Sequence, residues 1–229
     1  MEQTECMILV GARRRLGRHL AEDLARDHRL VLTSSEAWEG DASTWIKDLP
    51  ITAQARTLVW NARDPGLLSL MMADMARLRA EGITLSGAVL LPGAFPEDPF
   101  GDWDAESLQA LWEVNLTFPL LAAQAILPHL APGGCLHLIL DSCIHRPFLK
   151  RLPYSVAKTG LAALVPGLAR LAAPQVRVVG MRWGPFCRTR DRIRPSWRGG
   201  PCWTSSGSPA ISPGPCAMPR GRAISRVTS

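Results

Sequence analysis

The sequence lacks the patterns that mark membrane-spanning, secreted or metal-binding proteins. No uninterrupted apolar run approaches the ~20 residues that a membrane-spanning helix needs, and the acidic start of the chain, from Met1 to Cys6, is not typical of a signal peptide. The six cysteines show no close metal-ligand spacing, which predicts reduced thiols in the cytoplasm and no metal site. With 229 residues, 47% hydrophobic and 20% charged, the chain is long enough for one large globular domain.

The excess basic charge of the chain is confined to its last part. The net charge is +6, but residues 187–229 hold eight arginines and one aspartate, so residues 1–186 together carry −1. This tail is rich in Pro, Gly and Ser and shows neither a strand period nor a helix period. Such a segment cannot bury enough apolar surface to offset its chain entropy, so we expect it to be mostly disordered. Its composition also resembles a GC-rich gene translated out of frame, which leaves a frameshift product and a functional extension both open.

Strand-like and helix-like patterns alternate along residues 1–186, which we predict to form one domain. The predicted strands are short apolar runs at 7–10, 29–33, 57–60, 85–91, 135–140 and 176–181. The predicted helices lie at 16–27, 64–80, 106–130 and 154–172. Strands separated by helices imply parallel pairing with right-handed crossovers. The pattern therefore predicts a Rossmann-like, doubly wound α/β fold of three layers, with ligands bound beyond the carboxyl ends of the strands.

The first strand-to-helix turn has features of a phosphate-binding turn. Gly11 stands at the tight turn, and Gly17 stands where the helix must approach the strand closely. The start of that helix offers N–H groups to a diphosphate, and Arg13, Arg14 and Arg15 add positive charge. Two glycines six residues apart are equally consistent with a plain turn, and the arginines with a solvated loop.

The only tyrosine of the chain, Tyr154, precedes Lys158 by four residues in a predicted helix. Residues four apart lie on one face of a helix, so the phenol and the ammonium are expected side by side. A nearby ammonium favours the phenolate and lowers the phenol pKa, which suits the pair to proton transfer near neutral pH. The same spacing also arises by chance on many helices.

Together these patterns resemble the short-chain dehydrogenase/reductase family, which binds a nicotinamide dinucleotide and uses a Y-x-x-x-K pair. The resemblance extends from residue 7 to about residue 186. The T-G-x-x-x-G-x-G turn of the family matches Val10 to Gly17, and its asparagine in the central helix matches Asn115. The N-N-A-G of the family keeps only its glycine, Gly93, and its P-G after the sixth strand appears as Trp183-Gly184.

Departures from the family pattern resemble its pteridine reductase and dihydromonapterin reductase branch. Arg15 replaces the middle glycine of the turn, and Asp141 replaces the catalytic serine thirteen residues before Tyr154. Phe95 stands two positions after the family's N-A-G glycine, where that branch has an aromatic residue that stacks on the pterin.

The resemblance implies a role for each of these residues. Tyr154 would donate the proton, and Lys158 would lower its pKa and bind the nicotinamide ribose. Asp141 would hold Tyr154 or a water and accept hydrogen bonds from the pterin, while Asn115 would support a water that conducts protons. The implied substrate-binding residues are Phe95, Asp141, Tyr154 and Arg15. Simpler interpretations remain open: Asp141 as a loop cap, Asn115 as a helix residue satisfied by the backbone, and Phe95 as part of the core.

NADPH is favoured over NADH as the cofactor. The second strand ends in Ser34-Ser35 without the carboxylate that binds the ribose hydroxyl in NAD-selective enzymes, and arginines lie near, although Glu36 argues for caution. Asn61 matches the family position that contacts the adenine. The implied cofactor-binding residues are Gly11, Arg13, Arg14, Arg15, Leu16, Gly17, Ser34, Ser35, Asn61, Gly93, Lys158 and Gly184.

The resemblance implies an NADPH-dependent reductase that transfers a hydride to the C=N bond of a dihydropterin or dihydrofolate-like substrate. The alternatives are a general carbonyl reductase or alcohol dehydrogenase, and a catalytically impaired dinucleotide-binding protein. Impairment is considered because the tail over 187–229 lacks the family's substrate-covering helix and last strand. A homo-oligomer, a dimer or a tetramer, is implied if the C-terminus permits it. Neither a membrane nor a nucleic acid is expected as a partner.

Overall fold

The computed structural model of the chain describes residues 4–50 and 55–183. The tail over 187–229, the predicted cofactor residue Gly184 and the question of a last strand all lie outside these residues.

Within these described ranges, six parallel strands form one sheet in the order β3-β2-β1-β4-β5-β6. The strands are β1 (Thr4–Val10), β2 (Arg29–Ser34), β3 (Arg56–Val59), β4 (Ile83–Leu90), β5 (Leu130–Asp141) and β6 (Arg177–Trp183). The strand order reverses between β1 and β4, which lie side by side at the centre of the sheet. This topology confirms the predicted Rossmann-like α/β fold and places the expected ligand crevice above β1 and β4.

Helices cover both faces of the sheet, because the central strands are apolar on both sides. The helices are α1 (Arg15–Leu24), α2 (Asp41–Lys47), α3 (Leu67–Ala80), α4 (Ala105–Trp112), α5 (Phe118–Ile126) and α6 (Leu152–Ala172). Met7 and Leu9 of β1 pack with α1 and α2, whereas Ile8 and Val10 pack with α3, α5 and α6. This alternation along one strand is what a parallel sheet buried on both faces requires.

The predicted long helix over 106–130 is wrong in its continuity. A π-helical turn, Glu113–Thr117, separates α4 from α5, and a 3₁₀ turn, Leu127–His129, follows α5. Pro119 occupies the first turn of α5, where it lacks the N–H that a continuous α-helix would use. Leu130 begins β5, so that strand starts five residues earlier than predicted.

Helix α2 falls in a stretch that the sequence patterns left without structure. It is only seven residues long, too short for a helical period to be recognised. Trp45 in α2 is buried against the α1 side of the sheet, and its ring lies 6.2 Å from that of Trp38. Tertiary packing of these indole rings stabilises the segment.

The helical stretch Ala105–His129 is long enough and apolar enough, with a mean hydropathy of 1.3, to cross a membrane by length and composition alone. A core helix meets the same criteria. Phe118, Ala122 and Ile126 are all buried against the sheet, as expected of a core helix.

Candidate active site

The turn between β1 and α1 has a shape that only glycine permits at two positions. Gly11 has a φ of +83°, and a Cβ atom at Gly17 would lie 2.2 Å from the carbonyl oxygen of Gly11. The turn is tied to β2 by two bonds, from the N–H of Gly11 to Thr33 Oγ1 at 3.2 Å and from the N–H of Ala12 to the Thr33 carbonyl at 2.9 Å. Both glycines therefore have the structural roles that the sequence predicts, and their contact with a cofactor stays a prediction.

Two arginines of this turn form ion pairs with Glu36, the residue that argued for caution about NADPH in the sequence. One carboxylate oxygen of Glu36 accepts from Arg13 at 2.7 Å and from Arg14 at 3.1 Å. Arg15 is exposed at the start of α1, with a φ of +50°, where the family has glycine. Within the described part of the chain, Arg15 makes no ion pair. Leu16, the next residue, is half-buried.

The end of β2 holds the Glu36 loop in place. The buried Ser34 hydroxyl accepts from the Glu36 N–H at 3.0 Å and donates to the Glu36 carbonyl oxygen. Ser35 is exposed. Asn61, also exposed, uses its side-chain oxygen to accept from the Arg63 N–H at 3.0 Å. The expected contacts of Ser34, Ser35 and Asn61 with a cofactor stay predictions.

Asp141 and Tyr154 are joined directly. The Tyr154 hydroxyl donates to Asp141 Oδ2 at 2.9 Å. The other oxygen, Oδ1, accepts from the Ser142 hydroxyl at 3.0 Å and from the Cys143 N–H at 3.4 Å. Asp141 therefore both caps the turn after β5 and orients the phenol. The interpretation of this residue as a loop cap and its interpretation as a partner of Tyr154 each describe part of its environment.

Lys158, Asn115 and Gly93 meet below the phenol. Lys158 is 4% exposed, and its ammonium donates to the Ile139 carbonyl at 3.2 Å. A Cβ atom at Gly93 would lie 3.3 Å from Asn115 Oδ1 and 3.6 Å from Lys158 Nζ, so glycine is what allows this close approach. The fold therefore brings together three predicted site residues that lie far apart along the chain.

The π-helical turn presents Asn115 to this site. Its Nδ2 donates to the carbonyl oxygens of Leu111 and Ala94, both at 3.0 Å. Its Oδ1 is buried and has no hydrogen-bond partner among the described residues. A buried acceptor without a partner is costly, so the site fits a bound donor such as a water or a cofactor hydroxyl.

The expected lowering of the Tyr154 pKa is wrong for this structure. Burial, together with the Asp141 carboxylate, raises the pKa of Tyr154 above its ordinary value. Burial lowers the pKa of Lys158 to about 8, although Asp141 opposes that shift. The Lys158 ammonium lies 5.9 Å from the centroid of the Tyr154 ring, too far to outweigh the adjacent carboxylate. Tyr154 is thus protonated at neutral pH and available as a proton donor.

Phe95 lies at the mouth of the site and is not a core residue. Its ring is 48% exposed and meets the Tyr154 ring edge-to-face, with the centroids 4.7 Å apart. The guanidinium carbon of Arg151 lies 4.2 Å from the centroid of the Phe95 ring, and Arg151 pairs with Glu97 at 3.0 Å. The sequence patterns missed Arg151, although its place one helical turn before Tyr154 was a usable signal.

The cysteines and other metal-ligand residues do not form a second site in the part of the chain that is described. Cys6 and Cys143 are buried and form no disulfide within the described ranges, and Cys135 is also buried. Burial and Asp141 raise the pKa of Cys143 to about 11, so the thiol beside Tyr154 is neutral. No group of His, Cys, Asp or Glu residues in these ranges could hold a metal ion.

Comparison with known proteins returned no matching family profile. The chain is 27% identical over 186 residues to the short chain dehydrogenase helC of Aspergillus fumigatus, a match that covers 75% of the chain and 67% of that protein. It is 37% identical over 71 residues to tropinone reductase-like 3 of Erythroxylum coca, a match that covers 31% of the chain and 28% of that protein.

Solved structures share the fold. A short-chain dehydrogenase/reductase of the glucose/ribitol dehydrogenase type from Brucella melitensis superposes with a TM-score of 0.71 at 19% identity, over 80% of this chain and 76% of its own. A variant of actinorhodin polyketide ketoreductase with NADPH superposes with a TM-score of 0.66 at 18% identity, over 79% of this chain and 70% of its own. At these identities the structural likeness concerns the fold alone.

Proposed function

We propose that this chain is an oxidoreductase of the short-chain dehydrogenase/reductase family that uses a nicotinamide dinucleotide. The names of its relatives and the shared fold support this proposal. The glycine turn of β1 and α1, the buried Lys158 and the unpaired Asn115 Oδ1 all fit such a cofactor. When bound, the cofactor supplies or accepts a hydride. The residues of the chain hold the substrate and transfer the proton.

The more specific proposal is a reductase of dihydropterin-like substrates that prefers NADPH. The observation that supports it is the 2.9 Å bond between Tyr154 and Asp141. In ketone reduction, negative charge develops on an oxygen next to the phenol, and a carboxylate at that place would repel it. A pterin instead presents N–H donors, which a carboxylate accepts.

The residues support proton transfer to a ring nitrogen. Hydride addition to the carbon of a C=N bond leaves an electron pair on nitrogen, and Tyr154 donates its proton to that atom. The phenolate left behind lies beside Asp141, so it is destabilised and takes up a proton again rapidly. The Phe95 ring, which is 48% exposed and has Arg151 over one face, offers its remaining surface to a planar ring system.

The test is NADPH oxidation by the purified full chain with dihydrobiopterin, dihydromonapterin and simple ketones. Replacing Asp141 by serine is expected to lower kcat/KM for the pterins at least about tenfold and to raise it for ketones. Asp27→Ser, at an exposed aspartate beyond α1, is the control for loss of one carboxylate. Turnover of ketones but not of pterins by the unaltered protein would overturn the pterin proposal.

A general carbonyl reductase is the second candidate function, favoured by the names of the relatives. These names refer to a dehydrogenase, a tropinone reductase-like protein and a polyketide ketoreductase, and none of the three refers to a pterin. If this candidate is right, Asp141→Ser improves ketone turnover without a loss elsewhere.

The proposal includes a cytoplasmic location and a homo-oligomer. Trp112 of α4, Leu120 of α5 and Val156 of α6 are large apolar side chains that remain exposed, and exposed apolar side chains support a contact with a second copy. Light scattering of the purified chain tests the oligomer. Catalytic impairment, the third possibility, depends on residues outside those described.

A further inference from the structure

We propose that Arg151 is a specificity-determining residue that binds a carboxylate on the substrate. This proposal rests on the proposed active site at Tyr154, but it does not require that the substrate be a pterin. The Glu97 carboxylate, which pairs with Arg151 at 3.0 Å, occupies the place that the substrate carboxylate takes.

The position of Arg151 carries this assignment. Its guanidinium carbon lies 4.2 Å from the centroid of the Phe95 ring, and that ring lies 4.7 Å from the ring of Tyr154. The Phe95 ring therefore contacts both the Arg151 guanidinium and the ring of Tyr154, the proposed proton donor. Because the Arg151 guanidinium lies over one face of the Phe95 ring, a substrate that packs against Phe95 while it reacts at Tyr154 comes within reach of that cation.

The hydrogen-bonding state of Arg151 leaves capacity for a ligand. One terminal nitrogen donates to Glu97 at 3.0 Å, while Nε is buried without a partner among the described residues. A guanidinium binds a carboxylate best through two parallel N–H donors, so a single contact with Glu97 leaves this fork half used. The side chain is only 23% exposed, which limits competition from water.

Glu97 is suited to be displaced. It is 64% exposed and lies on the loop after β4. An exposed ion pair of this kind contributes little stability, so exchanging Glu97 for a substrate carboxylate costs little. The loop itself stays attached, because the Asp98 N–H donates to the Lys150 carbonyl at 2.9 Å independently of both side chains.

A purely structural role makes a different prediction. If the Arg151–Glu97 pair only latches the loop over the site, breaking it changes the binding of every substrate alike. If Arg151 recognises a carboxylate, breaking the pair changes the affinity for carboxylate ligands and leaves the affinity for neutral ligands of the same shape unchanged. Two matched ligand pairs make this distinction: 6-carboxypterin with 6-hydroxymethylpterin, and 4-carboxybenzaldehyde with benzaldehyde.

The experiment measures Kd for the pterins by fluorescence quenching, and KM and kcat for the aldehydes with NADPH. Arg151→Gln is expected to raise Kd or KM about five- to tenfold for the carboxylate member of a pair, and to leave the neutral member within about twofold. Glu97→Gln, at an exposed position that should fold normally, is expected to lower both values for the carboxylate member only. Glu81→Gln, which breaks the exposed pair of Glu81 with Arg56, is the matched control.

Each outcome decides the proposal. Equal shifts for charged and neutral members, or no shift in either variant, would overturn the role of Arg151, as would the absence of any ligand binding. A charge-dependent effect confined to the aldehydes supports Arg151 while the pterin function fails. Pterin turnover that does not depend on Arg151 supports the function while the role of Arg151 fails.

Discussion

Replacing Glu36 by glutamine is expected to raise the affinity for NADPH about tenfold relative to NADH. The Glu36 carboxylate accepts from both Arg13 and Arg14 at the end of the turn. In the proposed cofactor site, these arginines are the cations that would meet the 2′-phosphate that distinguishes NADPH. The carboxylate thus competes with the phosphate for the same two guanidinium groups and also repels it.

The magnitude follows from the exposure of the three side chains. Glu36 is 55% exposed, so a dielectric close to that of water applies. Two unit charges ~5 Å apart then interact by about 0.8 kcal/mol, and a phosphate that carries nearly two charges doubles this value. A difference of about 1.4 kcal/mol corresponds to a factor of ten in Kd. NADH, which has a ribose hydroxyl in place of the phosphate, gains little.

The assay measures Kd for NADPH and NADH with the unaltered and Glu36→Gln proteins. Quenching of tryptophan fluorescence reports binding during each titration, at low and at high salt. Glu22→Gln is the matched control, because Glu22 pairs with Arg18 at 2.9 Å on α1 and carries the same charge away from the turn. The gain should shrink at 0.5 M salt, where the Debye length is roughly 4 Å. An equal gain for NADH, or the same gain in Glu22→Gln, would refute the reasoning.

Two further predictions concern stability. Gly17→Ala is expected to lower the free energy of unfolding by about 1–3 kcal/mol and to weaken nucleotide binding, because its Cβ would collide with the Gly11 carbonyl. Gly167→Ala, in α6 with no atom within 4 Å of the added Cβ, should instead be neutral or stabilising in the same denaturant titration, and similar losses in both would contradict this account. Because burial lowers the Lys158 pKa to about 8 in the folded protein, the unfolded chain binds more protons just above that pH. Stability should therefore rise by about 1 kcal/mol between pH 8 and 9, and a Lys158→Met protein that shows the same rise would exclude Lys158 as its cause. The Cys143 thiol, whose pKa burial raises from 9.0 to about 11, opposes this rise from roughly pH 8.5 upward, because the unfolded chain loses that proton first.

The fold was predictable because its signals are local. Residues of β1 alternate between two apolar faces, and the glycines of the first turn stand at the spacing that close helix packing demands. The resemblance to the short-chain dehydrogenase/reductase family, in which a catalytic residue stands thirteen positions before the tyrosine, likewise implied the contact of Asp141 with Tyr154. Such features depend on spacing, which a sequence displays directly.

The features that were not predicted depend on contacts between distant segments. Glu36 pairs with arginines more than twenty residues away, and nothing in its own neighbourhood indicates that it turns toward them. The direction of the Tyr154 pKa shift depends on burial, which one helix face does not reveal. The π-helical turn at Asn115 interrupts a sequence that is otherwise typical of a continuous helix.

The hydrogen bond between Tyr154 and Asp141 can be observed in isolation, because the chain contains one tyrosine and no other phenol. Biosynthetic incorporation of 3-fluorotyrosine would place a single ¹⁹F nucleus in the whole molecule, within the phenol that we propose as the proton donor. Its chemical shift would report the protonation of that phenol, and the arrival of any ligand beside it, without assignment or subtraction. The composition of the chain thus gives the centre of the site its own spectroscopic reporter.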